Sequence, residues 1–189
     1  MNKIVVKSSD VKGPIIGGDQ NNITHIHVAA APDPNIIRAG LDRISLLSEG
    51  DEEFKDFIEL FNSYLRDREG RPIVGLRQKL LNGGREDLVE DAIEHKDRFA
   101  KIAAKAQLSP RRQYIYFYIL QKIKAAFDGQ IRPLIKAGAR PEDIDQSIYH
   151  NIVNSIFSEV NCVDISIDQH LIYGMLYFLT GKCHLVWEI

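Results

Sequence analysis

The sequence predicts a mainly α fold: a multi-helix domain with a short N-terminal β-arm and a C-terminal strand. From Asn35 onward, apolar residues recur at three- and four-residue spacing, the period of one helix face. Pro and Gly punctuate that pattern where helices start and stop. The first thirty residues instead alternate with period two or form short β-branched runs.

The arm spans residues 1–31. Lys3–Lys7 (KIVVK) and Ile23–Val28 (ITHIHV) have strand character, and GPIIGGDQNN between them is rich in residues that tolerate turns. A lone two-stranded hairpin is marginal in water, so the arm is expected to dock on the body or on a neighbouring chain. AAAPDP, residues 29–34, breaks both patterns and sets the boundary, because Pro lacks a donor and restricts the residue before it.

The helical domain spans 35–189. Ile36, Ile37, Leu41, Ile44 and Leu47 mark one amphipathic helix; Phe54, Phe57, Ile58, Phe61 and Leu65 mark a second, with Asp51, Glu52 and Glu53 at its start. Ile73 to Leu81 reads as a third, closed by Gly83 and Gly84, and Glu86 to about Gln107 as a long charged one. Ser109 and Pro110 supply an N-cap and a first-turn proline for a helix from Arg111 to about Lys136, with Pro133 as a kink. A further helix runs from Pro141 through Ile156. Asp168 caps a last one through Met175 and Leu179 to Gly181, and HLVWEI reads as the terminal strand.

Composition narrows the function. A chain of 189 residues with 44% hydrophobic positions buries roughly 70% of the surface its unfolded form exposes, so it folds without metal or disulfide. Two cysteines and no apolar leader point to a reduced, cytoplasmic protein, and no stretch reaches the roughly 18 apolar residues of a membrane span. A formal charge of −2 removes any general electrostatic attraction to nucleic acid.

No chemistry-bearing motif stands out. Gly13, Gly17 and Gly18 lack the spacing of a phosphate-binding or dinucleotide-binding loop, and no cofactor is expected. His25 and His27 share a strand face, but Cys162, His170, Cys183 and His184 do not complete a zinc spacing, so no metal is expected. Adjacent Cys183 and His184 would point to opposite faces of a strand, which prevents activation of the thiol. The acidic pairs Glu52 and Glu53, Glu90 and Asp91, and Glu142 and Asp143 read as solvated charge.

Tyr114, Tyr116, Phe117 and Tyr118 follow Arg111 and Arg112, with Lys122, Lys124 and Arg132 further along. Interleaved basic and aromatic residues can hold a nucleic-acid strand, although core packing with basic residues outside is the ordinary reading of such a helix.

The run Tyr173 to Trp187, YGMLYFLTGKCHLVW, resembles the closing motif of the C-terminal domains of bacterial ABC three-component (ABC-3C) systems. GPIIGGDQNNITHIHV is similar to the strand segment that precedes these domains. EEFKDFIELFNSYL, IVGLRQKLLNGG and RRQYIYFYILQKIKAAFDGQIRPLIKAGA look like their helical body.

Such systems are similar to the Lamassu group of anti-phage defences, which combine an ABC or SMC-like ATPase with a small component and an effector such as a nuclease. The resemblance implies a non-enzymatic assembly subunit, here without a fused effector. It would bind the ATPase and effector nuclease subunits, with Ile15, Ile16, Ile23 and Ile26 of the arm as contacts and as a route to homo-oligomers. The alternative is a nucleic-acid sensor in which Arg111, Arg112, Lys122, Lys124 and Arg132 contact phosphates.

Overall fold

The computed structural model describes residues 33–70, 72–106 and 109–188. The β-arm, with Ile15, Ile16, Ile23 and Ile26, lies outside them. Helix α1 (Pro34–Leu46) starts with Pro34 at its first turn and the Asp33 carboxylate accepting from the Asn35 N–H at 2.9 Å. Helix α2 (Glu52–Leu65) places Glu52 and Glu53 in its first turn, where they favour the positive helix end. The two are tied by the Arg43–Glu53 ion pair.

Helix α3 (Leu76–Asn82) is shorter than its apolar pattern predicts. Ile73 is 78% exposed, and the helix begins only after Pro72 and Gly75. Gly83 and Gly84 close it as expected, with Gly84 in the left-handed region at φ +68°. Gly83 has a second role: a Cβ there would lie 2.9 Å from the Trp187 carbonyl oxygen, so the C-terminal segment can cross only over glycine.

A 3₁₀ turn (Glu86–Leu88) leads into α4 (Val89–Ala106). Helix α5 (Pro110–Ala126) has the cap its sequence predicts, Ser109 Oγ accepting from the Arg112 N–H at 3.4 Å. The predicted kink takes the form of a π-helical turn (Phe127–Ile131) before α6 (Arg132–Lys136). Pro133 has no N–H to donate to Gly129, and the wider turn takes up the broken ladder. A second π turn (Tyr149–Asn154) joins α7 (Pro141–Ile148) to α8 (Ser155–Val160).

Helix α9 (Gln169–Gly181) is capped by Asp168, whose Oδ1 accepts from the Leu171 N–H at 2.6 Å. It is apolar nearly all round and is the helix the others enclose, with Leu171, Ile172, Met175, Leu176 and Leu179 at 2% exposure or less. Its principal neighbour is α4, and α3, α5 and α8 also pack on it.

Gly174 permits the α4 contact: a Cβ there would stand 2.5 Å from the His95 carbonyl oxygen and 3.1 Å from Phe99 Cβ. Gly40 does the same for α1 on α5, where the Tyr114 side chain occupies the space a Cβ would need. Phe57 and Tyr64 of α2 meet Phe117 of α5 edge-on at 5.7 and 5.8 Å.

The expected C-terminal strand is not formed. Among the described residues there is no strand, and 184–188 folds back on α9 through the His184 N–H to Leu179 carbonyl bond of 2.9 Å. His184, Leu185 and Trp187 are buried while Glu188 is exposed, because the apolar tail lies on a helical core. The left-handed residue that turns the chain is Cys183 (φ 62°), two positions beyond the glycine the sequence marks.

Gly174→Ala is expected to destabilise the fold by about 1–3 kcal/mol through overpacking, measured by denaturant unfolding. Gly129→Ala meets nothing within 4 Å and should be neutral or stabilising by up to about 1 kcal/mol from helix propensity.

Candidate functional site

The basic residues of the α5 region do not form one exposed stripe. Arg111 and Arg112 are exposed at the start of α5, and Arg111 donates to the Val163 carbonyl at 3.4 Å. Lys122 is ion-paired with the buried Glu159, which also accepts from the Tyr118 hydroxyl. Burial, and then the Glu159 carboxylate, push the Tyr118 phenol upward. Lys124 is ion-paired with Asp128, and Arg132 is half-buried beyond the π turn. Tyr116 and Phe117 belong to the core.

Cys183 and His184 are engaged separately. The thiol reaches the Pro72 carbonyl at 3.5 Å, while His184 Nε2 donates to the Arg66 carbonyl at 3.1 Å and its ring stacks on Tyr64. Among the described residues, no group of three or more His, Cys, Asp or Glu is placed to hold a metal ion.

A buried charge that sequence reading missed lies between α3 and α7. Arg85 is 2% exposed. It makes two parallel bonds of 2.8 Å to the Asp145 carboxylate and two of 3.1 and 3.3 Å to Asp87. Burial opposes its charge, but these bonds outweigh that and hold its proton more firmly than usual. The Asp87 carboxyl is correspondingly held below its ordinary value by Arg85. Asp87, two residues away, was legible as a partner; Asp145, sixty residues away, was not.

Beside this clamp opens a cleft of about 300 Å³. It is walled by Leu88 of the 3₁₀ turn, by Asp91 and His95 from α4, by Asp145 and Ile148 from α7, and by His170, Tyr173 and Tyr177 from α9. The spacing explains the convergence, since positions three and four apart share a helix face. The rings lie nearly parallel: His95 stacks on His170 at 5.2 Å and 24°, and on Tyr177 at 6.5 Å and 14°. Burial, then His170, hold the His95 imidazole below its usual value; Asp91 and Glu94 oppose this, and Arg98 adds to it.

At the end of α9, Thr180 joins three elements. Its carbonyl accepts from Lys79 Nζ at 2.6 Å, and its hydroxyl accepts from Trp187 Nε1 at 3.0 Å and donates to the Leu176 carbonyl. The segment 173–187 is thus the mechanical centre of the domain, and the residues around it, from α3 onward, form a continuous packed body. Over this body, residues 75–187, the chain matches the family model of C-terminal domain 9 of the ABC-three component (ABC-3C) systems.

The chain belongs to that family. No curated protein and no solved structure matches it significantly. Membership makes the protein a component of an ABC-3C system, and α1 and α2 precede the matched part of this ABC-3C domain while packing on its α5. Among the described residues no helix is long and apolar enough to cross a membrane.

Two measurements check the electrostatics of this ABC-3C domain. Asp145→Ala is expected to cost about 2 kcal/mol of unfolding free energy, less than for a fully buried pair because Asp145 is half-exposed, and Asp87→Ala less than about 1 kcal/mol. His95 takes up its proton later in the folded chain than in the unfolded one. Its contribution is therefore complete above about pH 6.5 and is lost as pH falls through that value toward the lower folded pKa. His95→Gln should flatten the loss of stability in this window while leaving the steeper fall below about pH 4, where Asp87 and Asp168 protonate.

Proposed function

We propose that the protein is a non-enzymatic assembly subunit of a bacterial ABC-3C defence complex of the Lamassu kind. It works in the cytoplasm, binding an ABC or SMC-like ATPase and recruiting or restraining a separate effector nuclease. The observation that carries this reading is the family match over the whole body formed by α3 to α9 and the C-terminal tail.

The chemistry of that body supports it. Arg85 is held by Asp87 and Asp145, Glu159 by Tyr118 and Lys122, and Asp168 by Arg98 and the α9 N-terminus. These groups serve packing and register. A rigid body of this kind suits the presentation of surfaces to other subunits, with the arm residues Ile15, Ile16, Ile23 and Ile26 as contacts between chains.

Tagged full-length protein recovered from its native host is expected to bring down an ATPase of the ABC or SMC kind together with a nuclease, identified by mass spectrometry. Removal of residues 1–31 should lower the oligomeric state and reduce the yield of the complex. Recovery of nucleic acid without protein partners would overturn the reading in favour of a sensor.

A further inference from the structure

We propose that the cleft between α4, α7 and α9 receives an arginine side chain from a partner protein. This rests on the assembly reading above and names one of its contact surfaces. The rings supply flat faces: His95, His170 and Tyr177 lie within 24° of one another's planes where they stack, and Tyr173 lies within 19° of Tyr177. A guanidinium is planar and is attracted to such faces, whereas a lysine ammonium offers no plane to stack.

Charge selects a cation. Asp91 is exposed and makes no hydrogen bond or ion pair with any described residue, while both oxygens of Asp145 are taken by Arg85. The neighbouring cations are already matched, Arg77 by Glu90 and Arg98 by Asp168. The cleft therefore keeps an excess of negative charge, which disfavours an anion.

The third observation is an accessible polar atom. Tyr177 is 6% exposed as a residue, and its hydroxyl, which makes no hydrogen bond with the described residues, is open to the cleft and its solvent. A guanidinium stacked on the rings presents in-plane N–H donors to the Asp91 carboxylate and to the Tyr177 oxygen together. The space, about 300 Å³, takes an arginine head and stem.

The test titrates the isotope-labelled full chain with the peptide Ac-Gly-Gly-Arg-Gly-Gly-amide, following the His and Tyr ring signals by NMR, with Lys and Glu versions alongside. Saturable shifts of His95, His170 and Tyr173 are expected with the Arg peptide, binding about fivefold weaker with Lys, and none with Glu. Asp91→Asn and Tyr177→Phe should each weaken the Arg peptide about threefold or more while leaving the chain folded, since neither removes a hydrogen bond within the fold.

Absence of saturable shifts, equal binding of the Glu peptide, or unchanged affinity in Asp91→Asn overturns the proposal. Co-purification from the host separates the two readings. Partners recovered without any binding of the Arg peptide leave assembly standing and the cleft wrong; Arg-peptide binding without recovered partners does the reverse.

Discussion

Helix α9 has almost no face that water can wet, and the arrangement of the other helices follows from covering it. A helix that is apolar all round is stable only when enclosed, because most helical stability in proteins comes from packing. Helices α3, α4, α5 and α8 supply the cover. The closest approach needs a residue without a side chain, and Gly174 stands where α4 comes nearest, against the His95 carbonyl and Phe99. The C-terminal tail completes the enclosure, with Trp187 packed on Phe127 at 5.3 Å and anchored to the Thr180 hydroxyl.

Around this apolar centre the buried charges act as fixed points. Arg85 links the α3–α4 connection to α7, and Glu159 links α8 to α5 through Tyr118 and Lys122. A buried ion pair adds little net stability over a well-packed apolar substitute, but removing one partner leaves an uncompensated charge in the interior. These pairs tie particular helix faces to one another across the core. The π turns at 127–131 and 149–154 likewise let α6 and α8 change direction without ending the local hydrogen bonding.

The same packing places the cleft. Because α9 crosses α4 closely at Gly174, the flanking positions His170, Tyr173 and Tyr177 are held against Asp91 and His95. The Arg85 clamp brings α7 and its Asp145 to the third wall. A surface built on rigid helices, with one carboxylate and one phenol left open, differs in kind from the α5 basic residues, where Lys122 and Lys124 are already matched within the fold.

The sequence by itself determined the helical class and most helix starts: Asp33–Pro34, Ser109–Pro110 and Asp168 are caps whose chemistry is local. It also determined the family, through the 173–187 run, whose apolar and glycine positions are those the buried helix requires. What it misread was equally physical. HLVWEI is a short apolar run with strand-favouring residues, but such residues record only that the segment is buried, and the partner here is a helical core instead of a second strand. Ile73 and Val74 continue an apolar pattern that Pro72 and Gly75 keep out of the helix.

Only the tertiary structure decided the cleft, the Arg85–Asp145 pair and the occupation of Lys122 by Glu159. Each joins residues dozens of positions apart, and helical periodicity fixes the face a residue occupies without fixing which other face it will meet.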